Sequence, residues 1–148
     1  MKKTFYIFVI LFLKFNIAHS LIEVDITRGN LDPLPIAVSP LYVDVQSENY
    51  KDIKIKELGE LISSVIEKNF KSTGLFNPLN KDAFVQKPDI AHLKPRFEDW
   101  RLITAQALVT GKILVKDEKL KVEFRLWDIA ANKEMIALAF TTTPSNWR

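Results

Sequence analysis

Lys54–Ser72 limits the possible folds more than any other stretch of the chain. Ile55, Leu58, Leu61, Ile62, Val65, Ile66 and Phe70 return at steps of three and four, while Lys56, Glu57, Glu60, Glu67, Lys68 and Lys71 take the opposite side. That spacing predicts one long helix with a single apolar stripe. Asp52 is placed to cap its start, and Gly74 to close its end in a left-handed conformation. Each large side chain buried from the stripe contributes roughly 1.5–3 kcal/mol, so the stripe is a main stabiliser of the fold. Gly59 sits inside the helix at a cost of about 1 kcal/mol relative to alanine, which suggests close packing at that point.

The surrounding chain alternates with a period of two. Ile22, Val24 and Ile26 interleave with Glu23, Asp25 and Thr27 as in a half-buried strand, and Gly29-Asn30 and Asp32-Pro33 then break the chain. Leu34–Leu41 reads as a second short strand with Pro35 and Pro40 near its ends, where a missing N–H does least harm. Tyr42–Ile53 carries no clear period and reads as a loop. After the helix, Leu75–Leu79 is a short extended piece, Asn80–Pro95 is irregular, and Phe97–Ile103 forms a short helix with Phe97 and Trp100 inward. Leu108–Val115 is apolar on both faces, as a central strand is. Leu120, Val122, Phe124 and Leu126 alternate with charged residues, and Lys133–Thr142 puts Ile136, Leu138 and Phe140 on one face. With Asp117-Glu118 and Ala131-Asn132 as turns, these last three strands form an antiparallel meander. The expected fold is a single small α/β domain: a mixed five-stranded sheet with one long helix.

Residues 1–20 have the pattern of a signal peptide. Lys2 and Lys3 precede the unbroken apolar run Phe5–Leu13, and Ala18 and Ser20 are small residues at the positions a signal peptidase requires. Nine apolar residues are too few for the ~20 of a membrane-spanning helix. Cleavage between Ser20 and Leu21 would leave residues 21–148 as the domain, with a β-prone free end and no membrane insertion. The formal net charge of +3 is carried by Lys2, Lys3 and Lys14, all within the removable part. The remainder is balanced and gives no electrostatic case for nucleic acid. The absence of cysteine rules out disulfides and thiolate chemistry. Export with a soluble remainder points to the periplasm.

No catalytic, cofactor-binding or metal-binding residues are assigned. His92, the one histidine outside the first twenty residues, lies in a proline-flanked loop and reads as a surface residue. There is no HExxH and no nucleophile elbow, and Gly29, Gly59, Gly74 and Gly111 are too scattered for a phosphate loop. Gly111 marks a bulge or a close backbone contact. Glu98-Asp99 reads as a solvated first helical turn, because adjacent helical residues do not converge. Trp100, Trp127 and Trp147 read as packing residues rather than a ligand-stacking set.

Four pieces in order resemble the family of the TolB N-terminal domain, a periplasmic component of the Tol–Pal system. They are Asp25-Ile26-Thr27-Arg28-Gly29-Asn30, Pro33-Leu34-Pro35-Ile36-Ala37-Val38, Ser72-Thr73-Gly74-Leu75-Phe76-Asn77-Pro78-Leu79, and Phe97-Glu98-Asp99-Trp100-Arg101 ahead of Leu108-Val109-Thr110-Gly111. The resemblance implies a fold of the anticodon-binding-domain type and a non-enzymatic role in outer-membrane integrity and cell division. It also implies docking on the C-terminal domain of TolA through the extreme N-terminal segment, here Leu21, Ile22, Glu23, Val24, Asp25, Ile26, Thr27, Arg28, Gly29 and Asn30. Relatives continue past the position of Arg148 into another helix and a β-propeller that binds Pal. Direct Pal binding is therefore not expected, and a separately encoded propeller fragment is a second possible partner. Two other readings are a fragment of a split or decaying gene and a periplasmic small-ligand-binding domain. With a two-faced central strand and one long helix, the domain is expected to expose an apolar patch.

Overall fold

The computed structural model describes residues 32–45, 55, 57–116, 119–143 and 145–147. The signal-like segment, the docking segment Leu21–Asn30 with its cleavage site at Ser20, the Asp52 cap and the Asp117-Glu118 turn lie outside the described residues. Among these residues six strands form one mixed sheet: β1 (Leu34–Val38), β2 (Tyr42–Val45), β3 (Phe76–Pro78), β4 (Ala107–Lys116), β5 (Lys119–Asp128) and β6 (Lys133–Thr142). The helices are α1 (Leu58–Thr73) and the short α2 (Pro88–Ala91) and α3 (Phe97–Leu102). The strand order is β3-β1-β4-β5-β6, with β2 pairing alongside β1 on the same edge of β4. β1 and β2 run parallel to β4, whereas β5 and β6 are antiparallel to their neighbours.

The expected α/β class and mixed sheet hold; of the five expected strands four lie among the described residues, where the sheet has six. Tyr42–Val45 is a strand rather than the start of a loop. Its Asp44 carboxylate accepts from Lys112 Nζ of β4 at 2.8 Å, so the polar residue that masks the pattern is satisfied across the strand pair. The extended piece after α1 also joins the sheet, with Leu34 opposite Phe76. Within Asn80–Pro95, Lys81–Ala83 is a 3-10 turn and Pro88–Ala91 is helical.

The stripe of α1 covers one face of the sheet. Leu58 and Ile62 pack on Ile113 and Val115 of β4 and Leu120 and Val122 of β5. Toward the helix end, Ile66 and Phe70 reach Ile36, Val38 and Val109, and Phe70 also meets Phe76 with ring centroids 4.7 Å apart. Gly74 ends the helix at φ +71°, a conformation open to glycine without strain. Leu41 is clamped between two other glycines. A Cβ on Gly59 would stand 2.1 Å from the Leu41 carbonyl oxygen, and one on Gly111 would stand 2.7 Å from Leu41 Cδ2 and 2.3 Å from the Glu123 carbonyl oxygen. The expected close packing at Gly59 and close backbone contact at Gly111 are therefore both present.

The other face is closed by shorter pieces. Trp100 is fully buried against Ala37, Leu108, Trp127 and Ile129, with half-buried Phe84 and Phe97 beside it. Both indoles find acceptors, as buried tryptophans do. Trp100 Nε1 donates to Gln86 Oε1 at 3.0 Å, and Trp127 Nε1 donates to Thr110 Oγ1 at 2.8 Å. The two-faced strand β4 is therefore covered on both sides.

Candidate docking surface

Several polar side chains among the described residues hold the domain together. Lys81 Nζ donates to Ser63 Oγ at 2.8 Å and to Glu60 Oε2 at 3.0 Å, with Glu67 Oε1 at 3.4 Å, clasping the turn after β3 to α1. Burial pushes the Glu67 carboxyl above its ordinary value, and the nearby Lys81 only partly offsets it. An open depression of about 660 Å³ beside this clasp is lined by charges of both signs, including Glu60, Lys68 and Lys71. Glu98 pairs with Arg101 within α3, and Asp99 with Arg96 at the cap of that helix at 2.7 Å. Both thus behave as a first helical turn and do not converge on a common point.

His92 departs from its expected surface position. It is buried, its ring stacked on Tyr42 with centroids 4.5 Å apart, and Nδ1 lies 2.9 Å from the Pro88 carbonyl oxygen. Its role is to pin the α2 turn to β2. Among the described residues no three His, Asp or Glu side chains are grouped to hold a metal ion. No described helix is long and apolar enough to cross a membrane.

What the surface does offer is an apolar strip. On the α1 side, β6 carries Ile136, Leu138 and Phe140, which are 49%, 53% and 56% exposed. They continue the row begun by Phe124 and Leu126 of β5, and Phe124 and Phe140 meet edge-on at 6.2 Å. Between β6 and the end of α1 lies an open groove of about 310 Å³, walled by Ile66, Phe70, Phe124, Leu126, Ile136 and Leu138. The expected apolar patch exists, chiefly over β5 and β6, with Val109 of the central strand at the edge of the groove. Alternation alone shows that Ile136, Leu138 and Phe140 share a face. It does not reveal that α1 stops short of them. Trp147 packs on the other flank of α1, beside Leu61 and Val65.

A family profile for the TolB amino-terminal domain matches residues 22–135. The Tol-Pal system protein TolB of Pelagibacter ubique (strain HTCC1062) is 63% identical over 150 residues, an alignment that takes in 100% of this chain and 33% of that relative. The chain thus spans about a third of the length of that curated relative. Among solved structures, TolB from Acinetobacter baumannii is similar with a TM-score of 0.56 at 15% identity, over 78% of this chain and 24% of that one. The LpoB C-terminal domain from Salmonella enterica gives 0.54 at 7% identity, over 78% and 86% of the respective chains. At these identities the two likenesses are of fold.

Proposed function

The chain belongs to the TolB amino-terminal domain family, and from that premise we propose that it is a non-enzymatic docking module of the Tol–Pal system. In this reading it works in the periplasm and contributes to outer-membrane integrity and cell division. It engages the C-terminal domain of TolA through Leu21–Asn30. The observation that carries the proposal is the family match from residue 22 onward, joined to 63% identity across the whole chain.

Sequence chemistry supports the choice of segment. Ile22, Val24 and Ile26 alternate with polar residues, the pattern by which an added strand contributes backbone hydrogen bonds for affinity and alternate side chains for register. The test is a pull-down on the TolA C-terminal domain with the full chain, a chain lacking Leu21–Asn30, and Val24→Pro, which removes one backbone donor in mid-strand. Capture is expected from the full chain, to be lost on deletion and weakened by the proline. Equal capture by all three overturns the docking proposal. A β-propeller fragment is the second partner in this reading, checked by co-purification with the tagged chain.

A further inference from the structure

We propose that the Lys81 ammonium is a proton-operated latch, resting on Ser63 and Glu60 while Glu67 is protonated and moving onto Glu67 when that proton leaves for solvent. The movement passes the state of one carboxyl on α1 to the far face of the sheet. The cluster has one ammonium for two carboxylates, and a lysine has three donors. Lys81 Nζ directs them to Ser63 Oγ at 2.8 Å, Glu60 Oε2 at 3.0 Å and Ser64 Oγ at 3.4 Å. Ser63 Oγ accepts because its own proton goes to the Glu60 carbonyl oxygen at 2.9 Å. Glu67 Oε1 lies 3.4 Å from the same nitrogen, buried and without a hydrogen bond.

The two carboxylates differ in what they need. The Glu60 side chain is 60% exposed and that of Glu67 23%. Glu60 can return to water when released, and an exposed pair contributes little. An ionised Glu67 has no such recourse, since a charge held away from water without a partner is costly. Burial accordingly holds its carboxyl above 4.5. Neutral Glu67 leaves Lys81 with Glu60, whereas ionised Glu67 is the stronger competitor for the one cation. The other charges at the site are Lys68 and Lys71 further along α1, and Asp82, which accepts from Asn80 Nδ2 at 3.3 Å; β3 brings none. Lys81 also opens a firmly closed turn. Asp82 N donates to Asn80 Oδ1 at 3.1 Å, and Phe84 N donates to the Lys81 carbonyl oxygen at 3.0 Å. Phe84 meets Trp100 edge-on with ring centroids 5.0 Å apart. The turn is thus tied to α1 at one end and to the Trp100 cluster at the other, so a displaced Lys81 draws Phe84 across the indole.

The test is a pH titration of the full chain by nuclear magnetic resonance, reading the Glu67 carboxyl carbon and the indole N–H signals of Trp100 and Trp127. The Glu67 step is expected above 4.5, and the Trp100 signal should shift with the same midpoint. Trp127, whose indole is bonded to Thr110 of β4, should hold its place. Glu67→Gln removes the proton and Lys81→Met removes the latch. Each should abolish the Trp100 shift, with a dispersed amide spectrum showing that the fold is kept; Glu67→Gln, the isosteric change, suffices alone if Lys81→Met does not fold. Glu60→Gln takes away the resting partner and should lower the Glu67 midpoint. The proposal is overturned if Trp100 ignores the Glu67 step, if its shift survives in either variant, or if Trp127 shifts equally. A Glu67 midpoint left in place by Glu60→Gln also overturns it.

Discussion

β4 and β6 have the same length and are both rich in apolar residues, yet their surroundings are opposite. Ala107–Lys116 is mostly buried, with Ile113 and Val115 fully enclosed, whereas Lys133–Thr142 is exposed almost throughout. β4 is paired on both edges and covered on both faces; among the described residues β6 is paired on one edge, and its apolar face lies beyond the reach of α1. Composition therefore makes a strand, but neighbours decide what the strand is for. The buried one organises the domain.

The largest test of that contrast is matched truncation. Ile113→Ala should lower stability by about 2–5 kcal/mol, because the cavity lies under α1 in packed surroundings. Leu138→Ala, measured in dilute solution, should change it by about 1 kcal/mol or less, in keeping with surface substitutions. Urea denaturation reads both. Similar losses would mean that β6 is enclosed after all. Next in size, Gly111→Ala should destabilise by about 1–3 kcal/mol, since its Cβ would strike the Glu123 carbonyl oxygen of the adjoining strand at 2.3 Å. An unchanged denaturation midpoint would show that β4 and β5 can part there without loss.

The sequence reveals these elements unevenly, for physical reasons. α1 is visible because its stripe repeats over four turns, β5 and β6 because alternation persists for most of ten residues each, and β4 because its run is apolar on both faces. β2 is invisible because four residues are too few for a period and Asp44 looks solvated until Lys112 is brought beside it from β4. β3 is shorter still and ends in Pro78 at the sheet edge. His92 reads as exposed because its partner Tyr42 lies far away in the chain and meets it only through the fold. The apolar strip follows the same logic. Its residues can be picked out by spacing, but its exposure depends on where α1 crosses the sheet.

A smaller effect tests whether the α1 side of the fold carries a titrating group. Burial raises the folded-state value of Glu67 above 4.5, so the native state holds that proton more tightly than the unfolded chain does. The resulting stabilisation is fully present below the unfolded value and is lost as pH rises through the folded one. Glu67→Gln removes this dependence. The variant should therefore gain on the parent chain between pH 4 and pH 7, as compared by urea midpoints at the two values. A gain in the opposite direction would mean that Lys81, rather than burial, governs the carboxyl.

The smallest predicted gain returns to the contrast between buried and bare strands. Alanine is a poor strand former and threonine a good one, on a scale that spans about 1 kcal/mol. Ala139 is exposed on β6 opposite Glu123, so Ala139→Thr has room and should add about 0.5 kcal/mol or less. Ala37 on β1 is fully buried in the cluster that holds Trp100 and Leu108. There the same replacement inserts volume and a hydroxyl into a closed core and should subtract about 1–3 kcal/mol. Thermal unfolding of the two variants reads the sign directly. Opposite signs follow from one strand being enclosed and the other free, whereas a loss at both positions would show that the outer face of β6 is already occupied.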